Sequence, residues 1–360
     1  MKWIKKDIQD SYTLPSKFYY SESIFSDVVK NIFSNSWQLI VDNQYLSEDK
    51  SCFPFRMMYD ILPEELILIR DEERINCYSN VCTHRGNILI DNPCLLNHGI
   101  VCGYHGRRFD NCGKFVSMPE TSGMKRFPSV EDDLACIPST EWKQFIFVSL
   151  DPKFNMDELI LPVDERVGWM PIEDFVYRKD LSKEYFIDCN WALYCDNYLE
   201  GFHIPFIHQD LSQDLNYDQY DVETFCYSSL QVGHSDNKDI CFDIPASSVD
   251  YGKNIAAYYF WMFPNIMMNF YPWGLSINIV SPLSVNKTKV EFRSYVWNED
   301  LLNLGAGGDV NKVELEDQEV IQKIQRGVKS RFYKRGRFSP KMEKGVHHFH
   351  RLIQSFLEEK

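Results

Sequence analysis

Cys82-Thr83-His84 and, after seventeen intervening residues, Cys102-Gly103-Tyr104-His105 constrain this chain more than any other feature. One Cys and one His on each of two loops form the ligand set of a [2Fe–2S] centre in which two thiolates hold one iron and two imidazoles the other. Two thiolates and two imidazoles also match a zinc, but a Cys-x-His arm is unlike the Cys-x-x-Cys arm of a structural finger. Glycines at 86, 103 and 106 suit tight loops that bring backbone N–H groups close to cluster sulfurs. The fold must therefore hold two short loops face to face.

The texture around the loops agrees. From Trp37 to about Leu150, short runs rich in β-branched and aromatic residues alternate with turn clusters such as Asp91-Asn92-Pro93 and Asp110-Asn111-Cys112-Gly113, which predicts a small antiparallel β domain over 37–150. Before it, Ile24, Val28, Ile32 and Phe25, Val29, Phe33 repeat every four residues and predict an amphipathic lead-in helix within 1–36. After the polar Asp151-Pro152-Lys153, residues 151–360 mix both periods. Tyr258 to Pro282 reads as consecutive strands, and Val320, Ile321, Ile324, Val328, Phe332 and then Val346, Phe349, Ile353, Phe356 recur at helical spacing, so this part is an α+β domain with helices on a sheet. A length of 360 residues also favours more than one core.

Lys plus Arg total 38 and Asp plus Glu 52, a net charge of −14, which disfavours nucleic acid and anionic membranes as partners and tolerates a cationic small molecule. Met1-Lys2-Trp3-Ile4-Lys5-Lys6 lacks the apolar core of a secretory signal, and the apolar stretch from Ala256 to Met268 is too short to span a bilayer. A cytoplasmic protein is expected. Eleven cysteines in such a chain point to reduced thiols, some ligating metal and most simply buried.

A second constellation lies at Asp196 to His208, reading Asp-Asn-Tyr-Leu-Glu-Gly-Phe-His-Ile-Pro-Phe-Ile-His. At about 100° per residue, Asp196, Glu200 and His203 share one helical face, and Pro205 is expected to break the helix just after His203. Without such a break His203 and His208 stand roughly 140° apart, too far to grip one ion. Two neutral imidazoles, one carboxylate and open positions make a non-haem Fe(II) centre that activates oxygen; a helix end with incidental histidines is the plainer alternative. The two constellations use four of the nine histidines, and an electron store beside an oxygen-binding iron makes an oxygenase.

With Cys82 to Gly86, Cys102 to Asp110 and Asp196 to His208 in view, the chain resembles the α subunits of the Rieske non-haem iron oxygenases over nearly its whole length. Asn190-Trp191, Phe263-Pro264-Asn265 and Gln325-Arg326-Gly327 with Ser330-Arg331 place it near the choline monooxygenase and carnitine oxygenase subgroup. The resemblance implies a Rieske cluster on Cys82, His84, Cys102 and His105, and a mononuclear iron on His203, His208 and a late carboxylate, Asp317, with Glu316 as its neighbouring competitor. It implies that Glu200, where most members carry Asp, bridges to a cluster histidine of the neighbouring subunit. Electrons from a separate NAD(P)H-dependent flavin and iron–sulfur reductase would then reach the iron, where O2 oxidises a substrate C–H bond. The implied substrate is a quaternary or methylated amine, by hydroxylation or N-demethylation, in a homotrimer; an aromatic ring-hydroxylating enzyme is the alternative.

For a quaternary ammonium an aromatic cage is expected, drawn from Tyr194, Phe202, Phe206, Tyr259, Trp261, Phe263, Tyr271 and Trp273, most of which would otherwise be core. The basic run Lys323, Arg326, Lys329, Arg331, Lys334, Arg335, Arg337 reads as a solvated or subunit-facing flank.

Overall fold

A computed structural model of the chain describes residues 3–58, 60–208, 221–302, 304–307 and 310–358. Met1 and Lys2 of the charged opening lie outside them. The chain divides into two units, one formed by Ser34–Lys153 and one by Met1–Phe33 with Phe154–Lys360. No helix among the described residues is long and apolar enough to cross a membrane.

The 34–153 unit is antiparallel β. Its strands are β1 (Gln38–Asp42), β2 (Ser51–Met58), β3 (Leu62–Asp71), β4 (Arg74–Ser79), β5 (Cys94–Leu95), β6 (Ile100–Val101), β7 (Arg108–Phe109), β8 (Phe115–Ser117), β9 (Cys136–Ile137), β10 (Ser139–Trp142) and β11 (Phe145–Val148). They form sheets in the orders β5-β2-β3-β4-β9, β6-β7-β8 and β1-β11-β10. Cys82 and Cys102 belong to one apolar cluster with Ile67, Ile69, Leu96, Ile100 and Phe109, so the loops that carry them rest on the core.

The other unit is α+β, as the sequence predicts. Its helices are α1 (Glu22–Asn31), α2 (Asp157–Val167), α3 (Trp191–Tyr198), α4 (Ile204–Ile207), α5 (Val310–Gly327) and α6 (Lys344–Glu358). Ser21 caps α1, accepting from the Ile24 N–H, and Ile24, Phe25 and Val28 form its buried stripe. The sheet strands are β12 (Val176–Tyr177), β13 (Lys183–Ile187), β14 (Asp221–Thr224), β15 (Ser228–His234), β16 (Ile255–Met262), β17 (Ile266–Tyr271), β18 (Gly274–Ser284) and β19 (Lys287–Val296). They run in the order β12-β19-β18-β17-β16-β15-β14, with β13 also on β19.

Register arranges one face of this sheet. Gln231 pairs with Tyr259, Tyr259 with Asn269 and Asn269 with Ser276, while Asn278 pairs with Phe292. Side chains alternate along a strand, so Tyr271 and Asn278 share the face of Asn269 and Ser276, which becomes a polar and aromatic wall. Two expectations change. The helical period read through Phe332 stops at Gly327, a poor helix residue, and Phe332 is exposed with the Arg331 guanidinium over its ring at 4.7 Å. The basic run is exposed, yet Arg335 and Arg337 are not simply solvated: they donate to the Trp3 and Gln9 carbonyls.

Candidate functional site

The two cysteine loops are built alike. The Cys82 N–H donates to Asn87 O at 2.8 Å and the Gly86 N–H to Cys82 O at 2.9 Å; the Cys102 N–H donates to Arg107 O at 2.8 Å and the Gly106 N–H to Cys102 O at 3.0 Å. Gly86 and Gly106 close the turns at φ 71° and 69°, a left-handed conformation that glycine adopts without strain. Gly103 has no such φ, and a Cβ there would meet nothing. Both cysteines are buried, His84 is half-buried and His105 exposed, with the imidazole centroids 4.8 Å apart.

Asp132 ties the loops together. Its carbonyl accepts from Thr83 Oγ1 at 2.8 Å and from Arg107 Nη2 at 3.1 Å, and its carboxylate holds Arg107 at 2.7 Å. Arg107 is 2% exposed, with its guanidinium 4.7 Å from the Phe115 ring, so the pair is an internal strut. Burial pushes the Cys82 thiol up, against N–H groups of His84 and Arg85. Burial also pushes Cys102 up, but N–H groups of Tyr104 and His105, together with Cys82 and Asn87, bring it below the ordinary thiol range. Two facing thiols supplied with backbone donors, and two facing imidazoles at the rim, fit a [2Fe–2S] cluster.

The second constellation departs from a single helix. Helix α3, capped by Asn190, ends at Tyr198. Leu199 to His203 form turns before the short α4, where Pro205 sits in the first turn. The break precedes His203 instead of following it, because the Glu200 carboxylate accepts from the N–H groups of Phe202 and His203 and Pro suits the start of a helix. Asp196 is consequently not on the face of His203. It accepts from Tyr19 Oη at 2.9 Å and from His350 Nε2 at 2.8 Å.

His203, His208 and Asp317 place their ligand atoms within 4.8 Å of one another. Asp317 Oδ1 lies 3.0 Å from His208 Nε2 and 3.5 Å from His203 Nε2. On the far side of each ring stands a glutamate: Glu200 Oε1 at 2.8 Å from His203 Nδ1, and Glu316 Oε2 at 2.7 Å from His208 Nδ1. Carboxylates only accept, so each Nδ1 carries a proton; Asp317 Oδ1 stands against both Nε2 atoms, which would face it with lone pairs when a cation lies between them. His208 is 2% exposed; burial pushes its pKa down, but Asp317 and Glu316 overcome this and hold it above the ordinary value. Helix α3 is tied to α5 by Asn190 N–H to Gln325 Oε1 at 2.7 Å, Tyr194 Oη to Glu314 at 2.6 Å and Asn197 Nδ2 to Asp317 Oδ1 at 2.7 Å. Two imidazoles and a carboxylate with outer carboxylates fit a mononuclear Fe(II).

These groups line a cavity of about 120 Å³. Tyr194, Tyr259 and Tyr271 of the expected cage line it, as does Tyr198, whose place beside the polar face of 196–208 suggested an apolar wall, and so does Phe292, which period and spacing did not single out. Phe202 and Phe206 are exposed, Trp261 and Phe263 are core, and Trp273 stacks on Tyr271 with centroids 5.3 Å apart. Gln231, Asn197 and Glu314 also line the cavity and were likewise missed; the spacing of Glu314 three residues before Asp317, one helical turn, was the available signal. Glu314 is 3% exposed, and burial pushes it up to about 8.

A Rieske [2Fe-2S] domain family matches residues 36–128, and the family described as ring hydroxylating alpha subunit (catalytic domain) matches residues 169–359. The chain is 28% identical to the chloroplastic choline monooxygenase of Arabidopsis thaliana, covering 98% of this chain and 85% of that one. It is 25% identical to the carnitine monooxygenase oxygenase subunit of Escherichia coli (strain K12), covering 96% and 94%. Its fold matches the quaternary ammonium Rieske monooxygenase CntA in complex with L-carnitine with a TM-score of 0.75 at 22% identity, over 98% of this chain and 97% of that one. Naphthalene 1,2-dioxygenase with indole bound matches with a TM-score of 0.71 at 17% identity, over 99% and 95%.

Proposed function

This chain belongs to the ring hydroxylating alpha subunits of the Rieske non-haem iron oxygenases, and from that premise we propose that it oxygenates a quaternary or methylated amine. The family's cofactors are a Rieske [2Fe–2S] cluster and one mononuclear iron. In the proposal Cys82, His84, Cys102 and His105 hold the cluster, and His203, His208 and Asp317 hold the iron. When bound, the cluster relays single electrons and the iron activates O2 for insertion into a C–H bond.

The supporting observation is that the three iron-ligand candidates open onto a cavity walled by tyrosines and a phenylalanine, because ring faces attract a cation by about 0.5–2 kcal/mol each. Glu200 and Glu316 keep the protons on Nδ1 of His203 and His208, so both Nε2 atoms stay available. Asn197 steadies Asp317 through one N–H to Oδ1. Glu200 also stands on the proposed electron path, reaching a cluster imidazole of a neighbouring copy. The working assembly is proposed as a cytoplasmic homotrimer served by a separate NAD(P)H-dependent flavin and iron–sulfur reductase.

The test is iron, zinc and acid-labile sulfide on anaerobically purified protein, an EPR spectrum after dithionite reduction, and then turnover with choline, carnitine and betaines. About three irons and two sulfides per chain, a rhombic Rieske signal, and release of formaldehyde or an aldehyde support the proposal. One zinc and no sulfide would overturn it. Oxidation of aromatic hydrocarbons alone would favour the ring-hydroxylating alternative.

A further inference from the structure

The cavity is asymmetric in charge. Its acids are Glu200, Glu314 and Asp317, and no lysine or arginine lines it among the described residues; the 209–220 segment outside them contains none either. A divalent iron with Asp317 as its single anionic ligand keeps one positive charge, which Glu200 and Glu316 against the two imidazoles more than balance. Glu314 remains as the carboxylate without a cation. Among the described residues its oxygens accept only from the neutral donors Tyr194 Oη, at 2.6 Å, and Gln318 Nε2, at 2.8 Å.

One acceptor also lacks a donor. Gln231 is 1% exposed and lines the cavity; its Nε2 donates to Tyr198 O at 2.7 Å, which fixes the amide orientation, and its Oε1 has no partner among the described residues. A buried carbonyl left unpaired costs roughly 1–3 kcal/mol, so it is a place for a ligand's hydrogen-bond donor. A quaternary nitrogen has no N–H to give. The donor must come from elsewhere in the same ligand.

We infer that the cavity selects an ammonium alcohol, with Glu314 as the counter-charge to the cationic nitrogen, flanked by Tyr194, Tyr259, Tyr271 and Phe292, and Gln231 Oε1 accepting from the hydroxyl. A betaine is disfavoured, because its carboxylate would face Glu314 and the Gln231 carbonyl with no side-chain cation to meet it. This rests on the proposed amine substrate and sharpens it.

Isothermal titration of the anaerobic holoenzyme, at a pH where Glu314 is ionised, tests it with four ligands: choline, ethyltrimethylammonium, which lacks the hydroxyl, dimethylbutanol, the uncharged isostere, and L-carnitine. Choline is expected to bind about tenfold or more tighter than each of the others, one buried polar interaction being about tenfold in affinity. Glu314→Gln, which still accepts from Tyr194, is expected to collapse the choline to dimethylbutanol ratio towards one. Gln231→Leu is expected to collapse the choline to ethyltrimethylammonium ratio. L-carnitine binding as tightly as choline overturns the inference with no variant needed. Ammonium binding with both ratios unmoved in the variants also overturns it while leaving the amine substrate standing. No ammonium binding to protein with full iron content and Rieske signal overturns the amine substrate itself.

Discussion

The two cysteine loops and the proposed iron site each bring two histidines together, by opposite means. Each cluster loop is a local device, in which one short turn, closed by Gly86 or Gly106, carries both a cysteine and a histidine. The iron site is a tertiary device. His203 and His208 flank α4, Asp317 comes from α5, and the geometry depends on hydrogen bonds from Asn190, Tyr194 and Asn197 across to that helix. Local devices are specified by spacing. Tertiary ones are specified by what stands behind the ligands.

The largest effect tests whether the two are independent. His208→Ala is expected to lower iron from about three to about two per chain and abolish oxygenation, with the Rieske EPR signal unchanged. Cys102→Ser is expected to do the reverse, removing the cluster signal and sulfide while leaving about one iron. A Rieske signal lost with His208→Ala would show that the centres share a folding unit, and the contrast would fail.

Next come the supports. Asp132→Ala leaves the buried Arg107 guanidinium without its anion and removes the carboxylate half of the strut between the cluster loops. About 3 kcal/mol of stability is expected to go, read as a lowered midpoint of urea unfolding monitored by the cluster absorbance. On the iron side, Glu316→Gln replaces the acceptor behind His208 Nδ1 with a group that can present N–H instead. Outer partners of this kind carry about 10–100-fold in metal affinity. Iron loss against a chelator should quicken accordingly, while sulfide content stays fixed. An equal loss of cluster would contradict the separation.

The same contrast explains what could be read before the fold was known. The cluster loops were legible in large part, because the candidate ligands, Gly86, Gly106 and the alternating β texture all lie within one short stretch; Gly103, also expected in a tight turn, has no left-handed φ. The α+β class was legible from period, and spacing brought out His203 and His208 as a candidate pair. The turn was not: Pro205 is a helix breaker by default, and only the Glu200 carboxylate taking the Phe202 and His203 N–H groups makes it the start of a second helix. Asp196 was misplaced for the same reason, since a face extrapolated past Tyr198 no longer exists. Asp317 was preferred over the adjacent Glu316 by the resemblance alone; in the fold they take opposite sides of one imidazole. Gln231 gave no signal at all, because its position in the wall follows from strand register.

A pH profile sharpens the catalytic side further. Glu314 ionises near 4.5 when free and about 8 in the folded chain, where burial is the main cause. The folded chain therefore holds an extra proton between those values. The stability of its neutral carboxyl is complete below the lower value and is lost as pH rises through the upper. Tyr194, whose hydroxyl is pushed up by burial and by Glu314 itself, remains a donor across the range, and Asp317 lies one turn away. Affinity for an ammonium ligand should rise with pH, by about tenfold per unit below the Glu314 value, and the iron's positive charge should move that midpoint down. The uncharged isostere should show no such slope. A flat profile for the ammonium would remove Glu314 from its recognition.

The smallest expected effect is the most discriminating about the loops themselves. A Cβ at Gly86 would meet nothing within 4 Å and at Gly106 only Pro119, at 3.8 Å, whereas at Gly274, φ 148°, it would stand 2.2 Å from Tyr295 O. Gly86→Ala and Gly106→Ala thus carry only the strain of a left-handed alanine, about 1 kcal/mol each. They should lower the unfolding midpoint equally, and their effects should add in the double variant if the turns do not couple. Gly274→Ala must displace backbone and should cost several times more. If Gly86→Ala and Gly106→Ala proved unequal, the loops would not be two copies of one device, and the surplus at either position would measure what its own surroundings contribute to holding the cluster.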